Sequence, residues 1–249
     1  MSDEEEALRQ AFEAGSPAAV QAAMALCDAE DLWAVFEWAV AKFGSASPLV
    51  AILRAEIARR AAAAKAEERV GCLVKATSWG YAEVAKVMIE AGTDPNGRDA
   101  ENWAPLMVAP ADVVQVLIAA GADVNVSGGR EGWTPLMYAV VNRHVATVRE
   151  LIAVGADVNA QEEMTVLGLA VVMRSSTEIV GMLLDAGADV AAQDKDGRTA
   201  LWIAENKHGG TPPEIVAMLR AAADRAALIA VADAKPKEAT KKTTPGGIM

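Results

Sequence analysis

Gly132-Trp133-Thr134-Pro135-Leu136-Met137-Tyr138-Ala139, followed after Asn142-Arg143-His144 by Val145, Val148, Leu151 and Ile152 and closed by Gly155-Ala156-Asp157-Val158-Asn159, is the stretch that decides the fold. Thr134 suits a helix N-cap, because its hydroxyl can accept from an otherwise unpaired backbone N–H. Pro135 suits the first helical position, where its missing N–H would have had no partner. Apolar residues continue to Val141, and after the turn Val145, Val148, Leu151 and Ile152 recur at helical spacing. Gly155 predicts the end of the second helix, since a residue without a Cβ takes left-handed backbone at little cost. Asp157 and Asn159 suit the turn beyond it, where short polar side chains bond nearby backbone. The unit from Arg130 to Gln161 reads as helix, tight turn, helix, projecting turn.

The unit recurs. Gly121-Ala122-Asp123-Val124-Asn125 and Gly187-Ala188-Asp189-Val190-Ala191 repeat its closing pentad, Gly92-Thr93-Asp94-Pro95-Asn96 is a weaker copy, and Ala222-Ala223-Asp224 is an eroded one. The steps from Gly92 to Gly121, Gly155 and Gly187 are 29, 34 and 32 residues. A period of about 33 marks a stacked array of small units, which presents a long surface and has little chemistry of its own.

Held in phase across several copies, these residues resemble the ankyrin repeat, whose pattern runs G-x-T-P-L-H-x-A-A through G-H to L-L-x-x-G-A-D-V-N. The resemblance implies an all-α solenoid with short β-turn fingers. The family histidine of T-P-L-H is replaced by Met107, Met137, Gly168 and Trp202, and Trp202 is expected to lie buried between repeats. The unit from Trp103 to Asn125 lacks four residues between its helices and has Pro110 at the break, so its first helix should be short. The unit from Thr165 to Ala191 has one extra residue near Arg174-Ser175-Ser176, and the fifth, Gly197 to about Asp224, carries Gly209-Gly210-Thr211-Pro212-Pro213 between its helices.

Upstream, Gly71 to Gly92 forms another fair copy. Gly15, Gly44 and Gly80 stand 29 and 36 apart, close to the period. The chain therefore divides into a helical N-terminal capping region of degenerate repeats over 1–65, an array of about five repeats over 66–230 and a disordered basic tail over 231–249. A separate helical domain at the N-terminus is the alternative, and a core of about 60 residues would be marginal alone. Trp33 and Trp38 are expected in that core. Ser2-Asp3-Glu4-Glu5-Glu6 is either disordered or the acidic first turn of a helix.

The formal net charge is −11, which argues against nucleic acid as the main partner. Cys27 and Cys72 have no metal-site or disulfide spacing, and a reducing compartment fits them. No basic start followed by an apolar run and no membrane-length apolar stretch stands out, so a cytoplasmic, intracellular location is expected, with no membrane partner. The two histidines, His144 and His208, fall in interhelical turns. Asp194-Lys195-Asp196-Gly197 is too short for a calcium loop and lacks its later glutamate. No catalytic, metal or cofactor site is expected.

What the resemblance singles out is a row of aromatic residues. In the family, the position just before the T-P-L helix faces the concave, partner-binding side. Here that row reads Val70, Trp103, Trp133, Met164 and Arg198, and the ends of the first helices add Trp79, Val141, Asn142 and Met173. Arg130, Glu131, Glu162, Glu163, Lys195 and Arg198 would form a polar rim. Tryptophan and arginine are enriched among binding hot spots, and a continuous apolar patch calls for a covering surface. The expected function is a non-catalytic adaptor binding a protein on this face, as a monomer or within a hetero-complex. The alternatives are a permanent structural subunit and, for the tryptophans, internal packing over neighbouring fingers.

Overall fold

The computed structural model describes residues 2–206 and 210–233. Its helices are α1 (Asp3–Glu13), α2 (Pro17–Met24), α3 (Ala29–Phe43), α4 (Pro48–Ala63), α5 (Ala66–Ser78), α6 (Ala82–Glu90), α7 (Ala111–Ala119), α8 (Pro135–Val141), α9 (Val145–Ala153), α10 (Val166–Val172), α11 (Thr177–Asp185), α12 (Ala200–Asn206) and α13 (Pro213–Asp233). Hydroxyl or carboxylate side chains cap the starts of α1, α2, α3, α8, α10 and α11. Ser2 accepts from the Glu5 N–H at 3.0 Å, so the acidic start is the first turn of α1. The Thr134 and Thr165 hydroxyls accept from the backbone N–H of Met137 at 3.4 Å and Gly168 at 2.9 Å, opening α8 and α10. His208 and the basic stretch 234–249 lie outside the described residues.

Helix ends are equally local. Beyond α6, α7, α9 and α11 come Gly92, Gly121, Gly155 and Gly187, with φ of 90°, 86°, 91° and 89°. In the fifth copy Ala222 replaces that glycine. With no residue suited to the left-handed stop, α13 runs on through Asp224 to Asp233, beyond the boundary the sequence suggested.

The inner layer stacks in the order α5, a 3₁₀ turn Pro105–Met107, α8, α10 and α12, and the outer layer in the order α6, α7, α9, α11 and α13. The 3₁₀ turn is the shortened first helix of the second unit, where Ala104 supplies no hydroxyl cap and Pro110 already caps α7. Upstream, α1 pairs with α2 and α3 with α4, and Gly15 (φ 69°) and Gly44 (φ 79°) stand in the turns within these pairs. The connections α2–α3 and α4–α5 carry no fingers. α6 packs against α3, α4 and α5 together. This joint is tied by Glu37, which accepts from the Val84 N–H at 2.9 Å, and by Arg54, which reaches Glu83 at 3.3 Å and Glu90 at 3.0 Å. One buried apolar cluster runs without a break from Leu8 to Leu219 and includes Trp33, with Trp38 packed at its edge.

No single pair could bury its apolar face alone. Leu106, Leu136, Leu151 and Leu167 are each within 1% of full burial because a neighbouring pair covers them, and each such side chain contributes about 1.5–3 kcal/mol. Met137 is fully buried because α8 is covered on both sides, by the 3₁₀ turn and by α10. Trp202, at the same station of α12, is 49% exposed, which corrects the expectation of burial. Among the described residues no later inner helix covers it.

The turn between inner and outer helix requires left-handed backbone. Gly80 provides it at φ 78°, but the corresponding residues later in the chain are Arg143 (φ 58°) and Arg174 (φ 53°). An L-residue in this region carries a strain of about 1–2 kcal/mol, which glycine relieves at an entropy cost of about 0.4–1 kcal/mol. Arg143→Gly should therefore raise stability by about 0.5–1 kcal/mol, and Gly80→Ala should lower it by a similar amount. Urea unfolding of both variants checks the opposite signs.

Candidate functional site

Each finger after the first is a tight turn closed by an isolated antiparallel bridge: Gly128 with Trp133, Gln161 with Thr165, Gln193 with Thr199. Consecutive repeats are also bonded to one another. Asn96 donates to the Gly121 carbonyl at 2.9 Å and accepts from the Asp123 N–H at 2.7 Å. Asn125 accepts from the Asp157 N–H at 2.8 Å. Asn159 accepts from the Asp189 N–H at 2.8 Å and donates to the Gly187 carbonyl at 3.3 Å. The aspartates of these pentads work locally: Asp123, Asp157 and Asp189 each accept from the N–H two residues on. Sequence reading foresaw the aspartate's role and missed that the asparagine leaves its own turn.

The fingers place Trp103 and Trp133 on either side of Tyr138. Their ring centroids lie 4.7 Å and 5.3 Å from its ring, over a small cluster of Ala104, Met107 and Val126. Tyr138 is 7% exposed. Its hydroxyl lies 3.2 Å from both the Gly128 carbonyl and the Glu131 carboxylate, two acceptors for one proton. Burial first, and then the Glu131 carboxylate, push the phenol from its ordinary 10.0 up to about 12. Both tryptophans are half-buried, so much of their surface serves packing. Tyr138 was absent from the residues singled out. The available signal was Gly128-Gly129, the finger segment that passes over it. A Cβ on Gly128 would stand 2.5 Å from the Asn102 carbonyl oxygen, and one on Gly129 would stand 2.1 Å from the Tyr138 hydroxyl.

The other residues of the row are dispersed around this cluster. Val70 is buried beneath Gly97, so it offers nothing to a partner. Trp79 is 45% exposed at the end of α5, edge-on to Trp33 at 6.4 Å and to Tyr81 at 5.8 Å. Val141, Met164 and Met173 are half-buried, while Asn142, Arg130 and Glu162 are exposed. Arg198 is engaged within the chain: it bonds Asp194 at 2.9 Å and Asp196 at 2.6 Å and lies 5.9 Å from the Trp202 ring. Lys195 pairs with Glu163 at 2.7 Å. Asp194 is the anchor of its turn, accepting from the N–H groups of Asp196 and Arg198 at 2.9 Å each. Burial would raise its carboxyl, but the backbone and side chain of Arg198 outweigh that and hold it below the usual value.

Reactive groups are sparse. His144 is exposed in its turn. Burial, with Asp31 next in effect, pushes the Cys27 thiol up to about 11, and burial also raises Cys72, so both cysteines are held in the weakly reactive thiol form. Among the described residues no helix is long and apolar enough to cross a membrane.

A family model described as ankyrin repeats, in three copies, matches residues 73–162 and 108–194. The chain is 33% identical over 147 residues to the putative palmitoyltransferase ZDHHC13 of Danio rerio, covering 57% of this chain and 23% of that protein. It is 35% identical over 116 residues to the ankyrin repeat and KH domain-containing protein mask-1 of Caenorhabditis elegans, covering 45% and 4%. Against the human ankyrin repeat and SOCS box protein 6 it is 32% identical over 141 residues, covering 51% and 33%. This chain thus spans a third or less of the length of these relatives.

Because the folded pKa of Tyr138 stands above 10.0, its contribution to stability is complete below that value and is lost as pH rises towards about 12. Tyr138→Phe should cost about 1 kcal/mol at neutral pH through the lost hydrogen bond. The variant should also lack the highest step in a titration of phenolate absorbance.

Proposed function

Since this chain belongs to the ankyrin-repeat protein family, we propose that it is a non-catalytic adaptor that binds a protein partner on its concave face, where fingers and inner helices meet. Ankyrin repeats are in general protein–protein interaction modules. The observation that supports this face is its part-open apolar row: Trp79, Trp103, Trp133, Val141, Met164 and Met173 keep surface in contact with water. Trp79 is its most open aromatic, and Asn142 and Arg130 flank the row as exposed polar groups. Binding proceeds by shape complementarity. The surface exists before the partner arrives, which keeps the ordering cost of association low. Residues 1–65 act as the N-terminal cap, shielding the first true repeat from water. The setting is the cytoplasm, and the partner is neither nucleic acid nor membrane.

A permanent place in a larger assembly is the second reading. It is favoured by Leu228 and Ile229 on the overlong α13, which are 71% and 63% exposed. An obligate subunit with such surfaces self-associates when isolated, whereas an adaptor stays monomeric in sedimentation equilibrium.

Trp103 and Trp133 are poor probes of the face because both brace Tyr138. Trp79→Ser combined with Asn142→Arg changes exposed surface instead, and Lys86→Glu on the outer helix α6 serves as control. Quantitative affinity purification from the native cell should show specific partners reduced by about tenfold for the concave variant, the effect of losing a hot spot. The control should leave them unchanged, with all variants melting alike. Equal recovery with all variants would refute the concave reading.

A further inference from the structure

Between α5 and the first finger runs an open groove of about 570 Å³, lined by Glu68, Cys72, Lys75, Asp99, Glu101 and Trp103, with Val74 and Val108 completing its apolar part. Glu68, Cys72 and Lys75 are successive residues of one α5 stripe, so the groove follows that helix, and Asp99, Glu101 and Trp103 of the first finger line it as well. Its charge is one-sided. Lys75 is matched by Glu30, with which it forms a salt bridge. Glu68, Asp99 and Glu101 form no ion pair among the described residues. One oxygen of Asp99 accepts from the backbone N–H groups of Glu101 at 3.0 Å and Trp103 at 2.8 Å, which fixes the carboxylate against the main chain of the finger. Glu68 accepts weakly from the Lys65 N–H at 3.4 Å.

We propose that this groove receives an arginine or lysine side chain from an extended basic segment of the protein partner, with the cation on the Trp103 ring and its hydrogen bonds directed to Glu68 and Glu101. The inference rests on the concave-face reading and adds the partner's chemistry to it. An indole face attracts a cation through its quadrupole, and a guanidinium can stack on the ring while its N–H groups reach carboxylates. The aliphatic stem of either side chain suits Val74 and Val108. An acidic segment would meet three uncompensated carboxylates, and the net charge of −11 repels it at longer range as well.

The test is a titration of the full chain, labelled with ¹⁵N, with an acetylated and amidated peptide of alternating arginine and leucine, beside its glutamine–leucine counterpart. The arginine peptide should shift the Trp103 indole N–H and the backbone amides of α5 and the first finger, and should bind about tenfold more tightly than the glutamine peptide at low salt. Glu68→Gln with Glu101→Gln should remove most of that preference. Glutamine at 68 keeps the contact to the Lys65 N–H, so α5 stays capped. Glu162→Gln, on a later finger, should leave the preference intact. Equal binding of the two peptides in the groove overturns the cationic inference while leaving the concave face a binding surface. A charge preference that survives Glu68→Gln with Glu101→Gln also overturns it. If neither peptide shifts any concave amide, the inference falls; the concave reading then stands or falls on the affinity purification with the Trp79 and Asn142 variant.

Discussion

Asn96, Asn125 and Asn159 each leave their own repeat and bond the backbone of the next, at the residues that open its closing turn. The rest of the architecture depends on this register. A pair of short amphipathic helices cannot bury its apolar face alone, and it becomes stable only against a second pair set at a fixed offset. Apolar contacts supply most of the free energy but are not directional, so many offsets would bury similar area. A backbone N–H held at 2.7–2.8 Å by the preceding asparagine selects one. That selection brings each finger over its neighbour, and Trp103, Gly129 and Tyr138 come together as a result.

The chain also shows where this device stops. The fourth pentad ends in Ala191, which has no side chain to reach forward, and the fifth has lost both its glycine and its turn, so α13 continues as helix. At the other end, α1–α4 pack with no fingers between the pairs, and Arg60 of α4 donates to the Met24 and Cys27 carbonyls, at and just beyond the end of α2, at 2.8 and 3.1 Å. Here the joint depends on individual polar ties, Glu37 to the start of α6 and Arg54 to Glu83 and Glu90. Among the described residues the terminal pairs are the irregular ones, and each has a neighbouring pair on one side only.

Much of this was legible in the residues. Thr134-Pro135 announced a helix start, Gly155 a helix stop, and the four missing residues with Pro110 a shortened first helix, because each acts through its own backbone. Other features were not local and so could not be read. Burial of Trp202 was expected from its repeat position, but what decides burial is whether another inner helix follows, and α12 is the last one described. For Trp103 and Trp133 the sequence left two readings open, a partner-facing row and internal packing over the neighbouring finger. Their half-burial follows from Tyr138, whose hydroxyl needs a partner and finds the Gly128 carbonyl of the finger. Val70 is hidden by close approach of Gly97, which no periodicity reveals.

A preformed binding face requires that the repeats be locked in register before any partner arrives, and the backbone amides of the closing turns report that lock. Asp123, Asp157 and Asp189 each follow an asparagine one repeat back, whereas no finger precedes Asp94, whose amide has no hydrogen bond among the described residues. Native-state hydrogen exchange of these four amides tests the account directly. It predicts strong protection at Asp123, Asp157 and Asp189 and fast exchange at Asp94; equal rates at all four would contradict it.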